Sequence, residues 1–258
     1  MASYMDPRRG EKIGEFIQSR KDLKPSRVLD IGCNNGAISI GLSKTAKTVV
    51  SGDLLNENLR KLVPRKRKNN MVMKFDALSL PVKDASFDVA ILNGVLEHVP
   101  LGKEGKPDTV QSELLSGIWR ALKKGGLLYF GIENRFSLKY LTGSISHNDM
   151  RFIDPLPRKL ANAYSKKVKG EEFRQYTHSM WAYRRMLKGA GFKDIEFFMS
   201  IPNYQFPEKL VEIDNGREIS RSVDKHVDKK LYKAGAKAMT AMRLQKLFST
   251  NFVMMARK

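Results

Sequence analysis

Short apolar runs alternate with helix-like periods along the first half of the chain. Runs rich in valine, isoleucine, leucine and phenylalanine occupy residues 28–31, 48–51, 71–75, 87–92 and 127–132. Their length and composition predict buried strands, and the segments between them predict crossover helices. Short buried strands joined by helices are typical of a parallel sheet that is covered on both faces. The pattern therefore predicts an α/β protein with a doubly wound, mostly parallel sheet.

The clearest helical period covers residues 109–124. Asp108 and Gln111 predict a capping box at its start, and Gly125 predicts its end. The apolar stripe of this helix consists of Val110, Leu114, Leu115, Ile118, Trp119 and Leu122. The other predicted helices cover 37–42, 54–62 and 180–188.

Two long segments interrupt this pattern in the second half. Strands predicted over 195–200 and 252–256 complete a seven-stranded sheet. The segments 134–178 and 202–250 are rich in lysine, arginine, tyrosine and phenylalanine and show no strand period. We expect both to be helical cap insertions on a single domain that spans residues 1–258.

The net charge is the unusual feature of the composition. The chain carries 47 lysines and arginines against 27 aspartates and glutamates, a formal net charge of +20. Such a charge favours anionic partners, namely nucleic acid, phosphorylated metabolites or an acidic membrane surface. The basic residues are spread along the chain, so a general role in solubility is equally open. The densest run, residues 60–68, also fits a solvated helix end.

The sequence predicts neither a membrane span nor a metal site. No segment has the apolar core of a signal peptide or the length of a transmembrane helix, so we expect a cytoplasmic protein. Cys33 is the single cysteine, which excludes an intramolecular disulfide. The four histidines lack close metal-ligand spacing, so no metal is expected.

The stretch VLDIGCNNGAISIGL, residues 28–42, predicts a ligand-binding turn. A strand ends at Gly32 and a helix begins after Gly36, and a side chain at either glycine would obstruct a ligand close to the backbone. The dinucleotide pattern G-x-G-x-x-G is not matched, because its middle glycine is absent. Asp30, just before the turn, would repel a phosphate and attract a cation.

Polar side chains also follow the next three predicted strands. Asp53 suits a ribose diol, Asp76 suits the amino group of an adenine, and Asn93 follows the fourth strand. All of them lie at the carboxyl edge of the predicted sheet, where such folds bind ligands. A ligand with a positive centre, a ribose and an adenine but no phosphate fits these positions, and S-adenosylmethionine has these parts.

Several motifs in order resemble the class I S-adenosylmethionine-dependent methyltransferases, and within them the type 11 small-molecule enzymes. VLDIGCNNG resembles the first motif, SGDLLNENL the second, FDALSLPVKDASFDVAILNGVLEHV the third and fourth, and IWRALKKGGLLYFGIENR the strand-five region. The resemblance implies a Rossmann-like methyltransferase fold and S-adenosyl-L-methionine as cofactor. The cofactor-binding residues that it implies are Asp30, Gly32, Cys33, Asn34, Gly36, Asp53, Leu54, Asp76, Ala77, Leu78 and Asn93.

The second half resembles a narrower subgroup that is found among genes for glycan or polysaccharide assembly. IENRFSLKYLTG, RFIDPLPRKLANAYSK and YTHSMWAYRRMLKGAGF carry this resemblance. It implies O-methylation of a small-molecule or glycan acceptor, and the net charge favours an anionic, phosphorylated one. Two alternatives stay open. One is methylation of RNA or of a ribosome-associated protein, and the other is a non-catalytic partner subunit that binds the cofactor.

An acceptor hydroxyl must lose a proton, which calls for a general base. His98, after the fourth predicted strand, lies where the family has the edge of its substrate pocket and is the catalytic candidate. A histidine that only caps the turn is the alternative. The candidates for acceptor contact, drawn from the two insertions, are His147, Asp149, Tyr176, His178 and Tyr204.

Overall fold

The computed structural model describes residues 4–146, 148–228 and 230–258. Its strands, in chain order, are β1 (Arg27–Ile31), β2 (Thr48–Asp53), β3 (Asn70–Lys74), β4 (Phe87–Asn93), β5 (Leu122–Glu133), β6 (Lys193–Pro202), β7 (Pro207–Glu212) and β8 (Asn251–Arg257). Within the described ranges these strands form one eight-stranded sheet in the order β3-β2-β1-β4-β5-β8-β6-β7.

The first five strands run parallel, as predicted. β8 pairs antiparallel with β5, and β6 pairs antiparallel with both β8 and β7. The α/β class with a mostly parallel, doubly wound sheet is therefore confirmed. The predicted count of seven strands is wrong, because β7 adds an edge strand from within 202–250 and buries Val211 in the core.

Helices cover both faces of the sheet. They are α1 (Arg8–Gln18), α2 (Ala37–Leu42), α3 (Asn56–Leu62), α4 (Pro107–Ala121), α5 (Leu138–Leu141), α6 (Arg158–Lys169), α7 (Met180–Gly189), α8 (Gly216–His226), α9 (Lys230–Ala241) and α10 (Gln245–Phe248). On one face, Ile13 and Ile17 of α1 join Val28 and Val49 in a buried cluster. The larger core on the other face includes residues of α4, α7, α8 and α9. Of the helices in these ranges, none has the length and apolar character that crossing a membrane requires.

The start of the long helix differs from the prediction. α4 begins at Pro107, and no side chain caps it, so the expected capping box of Asp108 and Gln111 is wrong. Gln111 is instead buried and donates from its amide to the carbonyl oxygens of Leu96 (3.0 Å) and Tyr176 (2.8 Å). Buried carbonyl groups need a hydrogen-bond donor. Because the Gln111 side chain donates to these two carbonyl groups, it does not cap the start of α4.

The end of this helix also comes earlier than predicted. Leu122 is already extended and pairs with Phe87 of β4, so β5 follows α4 without a connecting loop. Gly125 does not end the helix but lies inside β5, with φ +71. Pairing with the neighbouring strand thus overrides the apolar period that continues to Leu122.

α1 precedes the first element that the sequence pattern predicted. Its crossing with α2 is very close, because a Cβ atom added at Gly10 would lie 2.0 Å from the carbonyl oxygen of Ile38. Likewise, a Cβ atom at Gly41 would lie 2.2 Å from the carbonyl oxygen of Pro7. Glycine at both positions lets the two backbones touch, and this packing brings Arg9 to the carboxyl ends of the strands.

The described residues of 134–178, which we call the cap, include α5 and α6. The small core of the cap consists of Met150, Ile153, Ala161, Phe173 and Tyr176. The other expected insertion, 202–250, contains α8, α9 and α10 but also β7, so part of it belongs to the sheet.

Candidate active site

A cavity opens at the carboxyl ends of β1 and β4, where the strand order reverses. β1 pairs with β2 on one side and with β4 on the other. Crossovers that leave two adjacent strands in opposite directions create a crevice, and open α/β sheets bind ligands there. The cavity is lined by Tyr4, Arg9, Asp30, Gly32, Cys33, Asn34, Ile38, Asn93, Gly94, Glu97, His98, Tyr204 and Gln205.

Two glycines shape the turn beneath this cavity. Gly32 has φ +68, and a Cβ atom there would lie 2.5 Å from Val95. Gly36 has φ +79, and its Cβ atom would lie 2.1 Å from Leu62. Left-handed backbone and lack of space together exclude other residues at both positions. Asn34 takes a further left-handed position, with φ +49, which asparagine tolerates better than most residues.

Asp30 is a buried acid that faces the cavity. It is 2% exposed, and its carboxylate accepts a hydrogen bond from Ser39 Oγ at 2.5 Å. Burial raises the pKa of Asp30 to about 6, although the bond from Ser39 and the charge of Arg9 act in the opposite direction. A carboxylate in such surroundings is stabilised by a positive ligand group, because that group offsets the lost hydration.

Arg9 brings the positive charge of the cavity. Its Nε atom donates to the carbonyl oxygen of Gln205 (2.6 Å), and its Nη1 atom donates to that of Tyr4 (2.9 Å). The guanidinium carbon lies 5.1 Å from the ring centroids of both Tyr4 and Phe206. Burial lowers the pKa of Arg9, but a guanidinium remains charged at neutral pH.

Sequence reasoning missed Arg9 because it missed α1. The residues that α1 buries are Gly10, Ile13, Gly14 and Ile17. Their spacing of three and four is the helical signal that could have revealed it. The other cavity residues that were not predicted are Tyr4, Ile38, Gly94, Glu97 and Gln205.

Asn93, at the end of β4, carries an unused amide. Neither its Oδ1 nor its Nδ2 atom has a hydrogen-bond partner among the described residues, although both atoms are buried. The side chain lies against Gly131 of β5, where a Cβ atom would be 2.1 Å from Asn93 Oδ1. Buried polar atoms are rarely left without a partner, so this amide is available to a ligand.

Tyr204 forms the opposite wall of the cavity. It is 2% exposed, and its ring lies 3.1 Å from the place of a Cβ atom on Gly94. A tight turn presents it, because Asn203 Oδ1 accepts hydrogen bonds from the N–H groups of Gln205 (2.9 Å) and Phe206 (2.8 Å). The predicted residue thus lies beside the end of β4.

Glu97 and His98 complete the rim. The carboxylate of Glu97 is buried, and His98 Nε2 lies 3.8 Å from its Oε1 atom. His98 Nδ1 lies 3.1 Å from Nε2 of Gln175, which belongs to the cap. His98 is therefore a half-exposed imidazole at the cavity, held between a buried acid and the cap.

Asp53 adjoins the glycine turn but does not line the cavity. Its Oδ2 atom accepts the N–H of Asn34 (2.8 Å). Its Oδ1 atom accepts the N–H of Leu55 (2.9 Å) and Nδ2 of Asn58 (3.0 Å). The carboxylate therefore ties the turn to the start of α3, while the neighbouring Leu54 is 54% exposed.

Asp76 lies beyond β3 and is paired with a lysine. Lys103 Nζ and the N–H of Leu78 both donate to its carboxylate. Burial opposes its ionisation, but these two hydrogen bonds outweigh burial and keep the pKa of Asp76 below its usual value. Ala77 and Leu78 pack against the larger core, and none of the three residues lines the cavity.

Two predicted acceptor residues lie inside the cap rather than at the cavity. His178 is 7% exposed, and its Nε2 atom lies 2.7 Å from Oε1 of Gln111. Burial and the charges of nearby arginines lower the pKa of His178 to about 3, so it is neutral at neutral pH. Tyr176 is covered by Arg158, whose guanidinium carbon lies 3.8 Å from the ring centroid. Both side chains connect elements of the fold.

The remaining acceptor candidates are also not placed at the cavity. Asp149 has a side chain that is 89% exposed and lies 3.8 Å from Lys169. The prediction for His147 lies outside the described residues. Seven predicted residues do meet at the cavity, namely Asp30, Gly32, Cys33, Asn34, Asn93, His98 and Tyr204.

The cavity has a different charge from the protein as a whole. In a chain of net charge +20, it is lined by two acids, Asp30 and Glu97, and by one guanidinium, that of Arg9, with the imidazole of His98 at its rim. Two buried carboxylates beside one guanidinium suit a ligand with positive groups and one carboxylate. This donor set, together with the unused amide of Asn93, fits the methionine part of S-adenosylmethionine.

Comparisons with known proteins agree with this geometry. Residues 29–130 match a protein family described as a methyltransferase domain. A ubiquinone biosynthesis O-methyltransferase from Idiomarina loihiensis is 26% identical over 157 residues, which are 54% of this chain and 61% of that protein. One from Paraburkholderia phymatum is 28% identical over 157 residues, which are 55% of this chain and 64% of that protein. The match thus spans less than two thirds of these curated relatives.

Among solved structures, an S-adenosylmethionine-dependent methyltransferase from Mesorhizobium loti superposes with a TM-score of 0.57. The sequence identity is 17%, and the superposition covers 96% of this chain and 98% of that chain. A methyltransferase from Archaeoglobus fulgidus gives a TM-score of 0.55 at 18% identity, with 95% and 94% covered. The fold is therefore the Rossmann-like fold of these enzymes.

Proposed function

We propose that this chain, whose residues 29–130 are a class I methyltransferase domain, transfers a methyl group from S-adenosylmethionine to an oxygen of a small-molecule acceptor. The observation that carries the proposal is the cavity at the reversal of strand order, which combines a glycine turn with buried acids. The names of the relatives, ubiquinone biosynthesis O-methyltransferase, support oxygen as the methylated atom.

Residues near the strand ends, together with Arg9, bind different parts of the cofactor. Asp30 holds the ammonium group of the methionine part, and Arg9 holds its carboxylate. Asp53 binds the ribose diol beside the turn that it already supports. Asp76 with Leu78 borders the adenine.

S-adenosylmethionine supplies a methyl group on a sulfonium sulfur, which is a good leaving group. The chain has to bring the acceptor oxygen into line and keep water away. Tyr204, which follows β6, bounds the acceptor side of the cavity, and Asn93, at the end of β4, contacts the cofactor. His98 accepts the proton of the acceptor hydroxyl at Nε2, Gln175 positions the ring at Nδ1, and the nearby carboxylate of Glu97 stabilises the imidazolium that forms.

Two features of the chain bear on the class of acceptor. The resemblance of the second half to glycan-associated enzymes favours a glycan intermediate. The net charge favours an anionic one, although the two acids at the cavity do not. Transfer of labelled methyl groups into a fractionated lysate tests this. Label in the small-molecule or glycan fraction supports the proposal, whereas nuclease-sensitive label in RNA would overturn it.

His98→Gln tests the catalytic role. Loss of a general base is expected to lower kcat by about a hundredfold or more, while the affinity for S-adenosylmethionine stays unchanged. His226→Gln, on α8, is the matched control. If His98 only caps the turn, the variant will instead lower the free energy of unfolding and leave kcat of the folded protein intact.

A further inference from the structure

α6 presents its large apolar side chains outward. The residues that it buries, Ala161 and Ser165, are both small. Leu160 and Val168 are 57% and 59% exposed, and Tyr164 is 37% exposed. Because these three residues are spaced four apart, they form one stripe along the helix. A surface helix normally turns its large apolar residues to the core, so α6 has an apolar face that the described chain leaves uncovered.

Lysines accompany this stripe, and α6 has no acidic residue. Its lysines are Lys159, Lys166, Lys167 and Lys169. Lys166 pairs with Glu172 at 2.9 Å, and Lys169 lies near Asp149. Within the described part of the chain, Lys159 and Lys167 have no acidic partner and are exposed. An unbalanced positive charge therefore lies beside the exposed apolar stripe.

The loop before α6 adds two exposed apolar side chains. Ile145 is 56% exposed and Phe152 is 53% exposed. A β-bridge between Ile145 and Arg151 closes this loop, and Lys169 Nζ donates to the carbonyl oxygen of Asn148, which ties the loop to the end of α6. Phe152 has φ +60, a conformation that bulky residues rarely adopt. The tip of the ring lies over Gly143, where a Cβ atom would be 2.7 Å from Phe152 Cζ, and the rest of the ring is exposed.

The chemistry of this surface fits an anionic bilayer better than a nucleic acid. Helices that lie in a membrane interface combine an aliphatic stripe with lysines that reach the headgroups. Nucleic-acid surfaces rely more on arginine, whose planar guanidinium binds phosphates through two hydrogen bonds. The one arginine of α6, Arg158, is taken by the cap itself, because it covers Tyr176 and donates to the carbonyl oxygen of Thr177.

We propose that the outer face of α6, with Ile145 and Phe152, docks on membranes rich in anionic phospholipid. Lys159 and Lys167 contact the headgroups, and the Leu160, Tyr164 and Val168 stripe enters the boundary between headgroups and acyl chains. The proposal does not depend on methyl transfer. It assigns peripheral attachment to the outer face of the cap, away from the contact of Gln175 with His98.

Sedimentation of the full chain with vesicles tests this docking. The protein is expected to bind vesicles that contain phosphatidylglycerol, to ignore pure phosphatidylcholine vesicles, and to lose binding as salt is raised. Lys159→Gln with Lys167→Gln is expected to lower the partition coefficient about thirtyfold. Leu160→Ser with Val168→Ser is expected to lower it at least about tenfold.

Two matched controls distinguish docking through α6 from nonspecific adsorption to the vesicles. Val63→Ser with Leu231→Ser removes side chains that are 51% and 87% exposed elsewhere, and should change binding by less than about twofold. Arg67→Gln with Lys68→Gln removes the same charge from the other basic run and should have a smaller effect than the α6 pair. Unfolding curves confirm that each variant is folded.

Three outcomes would overturn the proposal. The first is no binding to anionic vesicles, and the second is equal losses in the α6 variants and their controls. The third is binding of a single-stranded RNA that the lysine pair abolishes while vesicle binding persists. Because none of these measurements requires turnover, failure of the docking is distinguishable from failure of the proposed methyl transfer.

Discussion

The carboxyl edge of the sheet and the cap are held together in different ways. At the edge, short-range backbone geometry dominates. Gly32 and Gly36 take left-handed conformations in spaces that admit no Cβ atom, and Asp30 lies in β1, two residues before Gly32. Asp53 then fastens the turn through the N–H of Asn34.

In the cap, long side chains bind backbone carbonyl groups. Arg135 donates to the carbonyl oxygens of Asp154 (2.8 Å) and Leu156. Arg158 donates to that of Thr177. The apolar core beneath them is small compared with the two clusters that flank the sheet. A layer with few buried apolar side chains opens more easily than a sheet core, so the cap is the part that can adapt to an acceptor or a surface.

Asp30→Ala tests the edge and has the largest expected effect. Asp30 is the proposed partner of the ammonium group of S-adenosylmethionine. Removing this buried carboxylate is expected to weaken binding of S-adenosylmethionine more than about a hundredfold, as measured by titration calorimetry. Asp30→Asn keeps the shape and serves as the control for packing. An unchanged affinity in both variants would show that the positive group lies elsewhere.

The pH dependence of this affinity follows from the same residue. Burial raises the pKa of Asp30 to about 6, so the folded chain without ligand holds this proton more tightly than the unfolded chain does. Protonated Asp30 therefore favours the folded chain, and this contribution to the free energy of unfolding is lost as the pH rises from about 4 through about 6. A bound positive group favours the ionised form. The affinity for S-adenosylmethionine should thus fall about tenfold for each pH unit below about pH 6 and stay constant above it. Asp30→Asn should abolish this dependence on pH.

Phe173→Ala tests whether the cap is a separate layer. Phe173 is 2% exposed in the small core, and truncation is expected to cost about 3 kcal/mol there. Amide hydrogen exchange should then rise in residues 148–178 but not in β1 or β4. Phe192→Ala, the same change in the larger core, should lower the global free energy of unfolding instead. Equal effects of both variants on the strands would remove the distinction between edge and cap.

Arg9→Gln tests whether Arg9 binds the carboxylate of S-adenosylmethionine. Loss of a charged hydrogen bond to the ligand carboxylate is expected to weaken S-adenosylmethionine binding about tenfold. Arg9→Lys should recover only part of this, because lysine keeps the charge but not the fork that also holds Gln205 and Tyr4. A variant that loses thermal stability without losing affinity would make Arg9 purely structural.

Cys33→Ala has the smallest expected effect. Burial, with the charges of Asp30 and Asp53, raises the pKa of the Cys33 thiol, so it is not an available nucleophile. Methyl transfer should change by less than about twofold, and iodoacetamide should label the native protein slowly near neutral pH. Rapid labelling that inactivates the enzyme would contradict this reading of the turn.

Seven of the eight strands in the described part of the chain, all but β7, and the glycine turn were predictable because each is a local property of a few residues. Val28 and its neighbours are buried on both faces, so their run is almost wholly apolar and reads directly as a strand. The residues at which helices and strands begin and end were less predictable. Leu122 continues a helical period but is extended, because the pairing of Phe87 with β5 decides its conformation.

Which polar residues face the cavity was decided by tertiary structure. The sequence places an acid at or near the carboxyl end of each of three strands, but of these three only Asp30 lines the cavity. Asp76 lies outside it and pairs with Lys103, and Asp53 lies outside it and accepts the N–H of Asn34 in the turn. Arg9 lies 196 residues from Gln205, to which it is bonded, and no local pattern links them. A strand or a turn depends on neighbours along the chain, which the sequence shows, whereas a side chain's partner depends on how distant elements pack, which it does not.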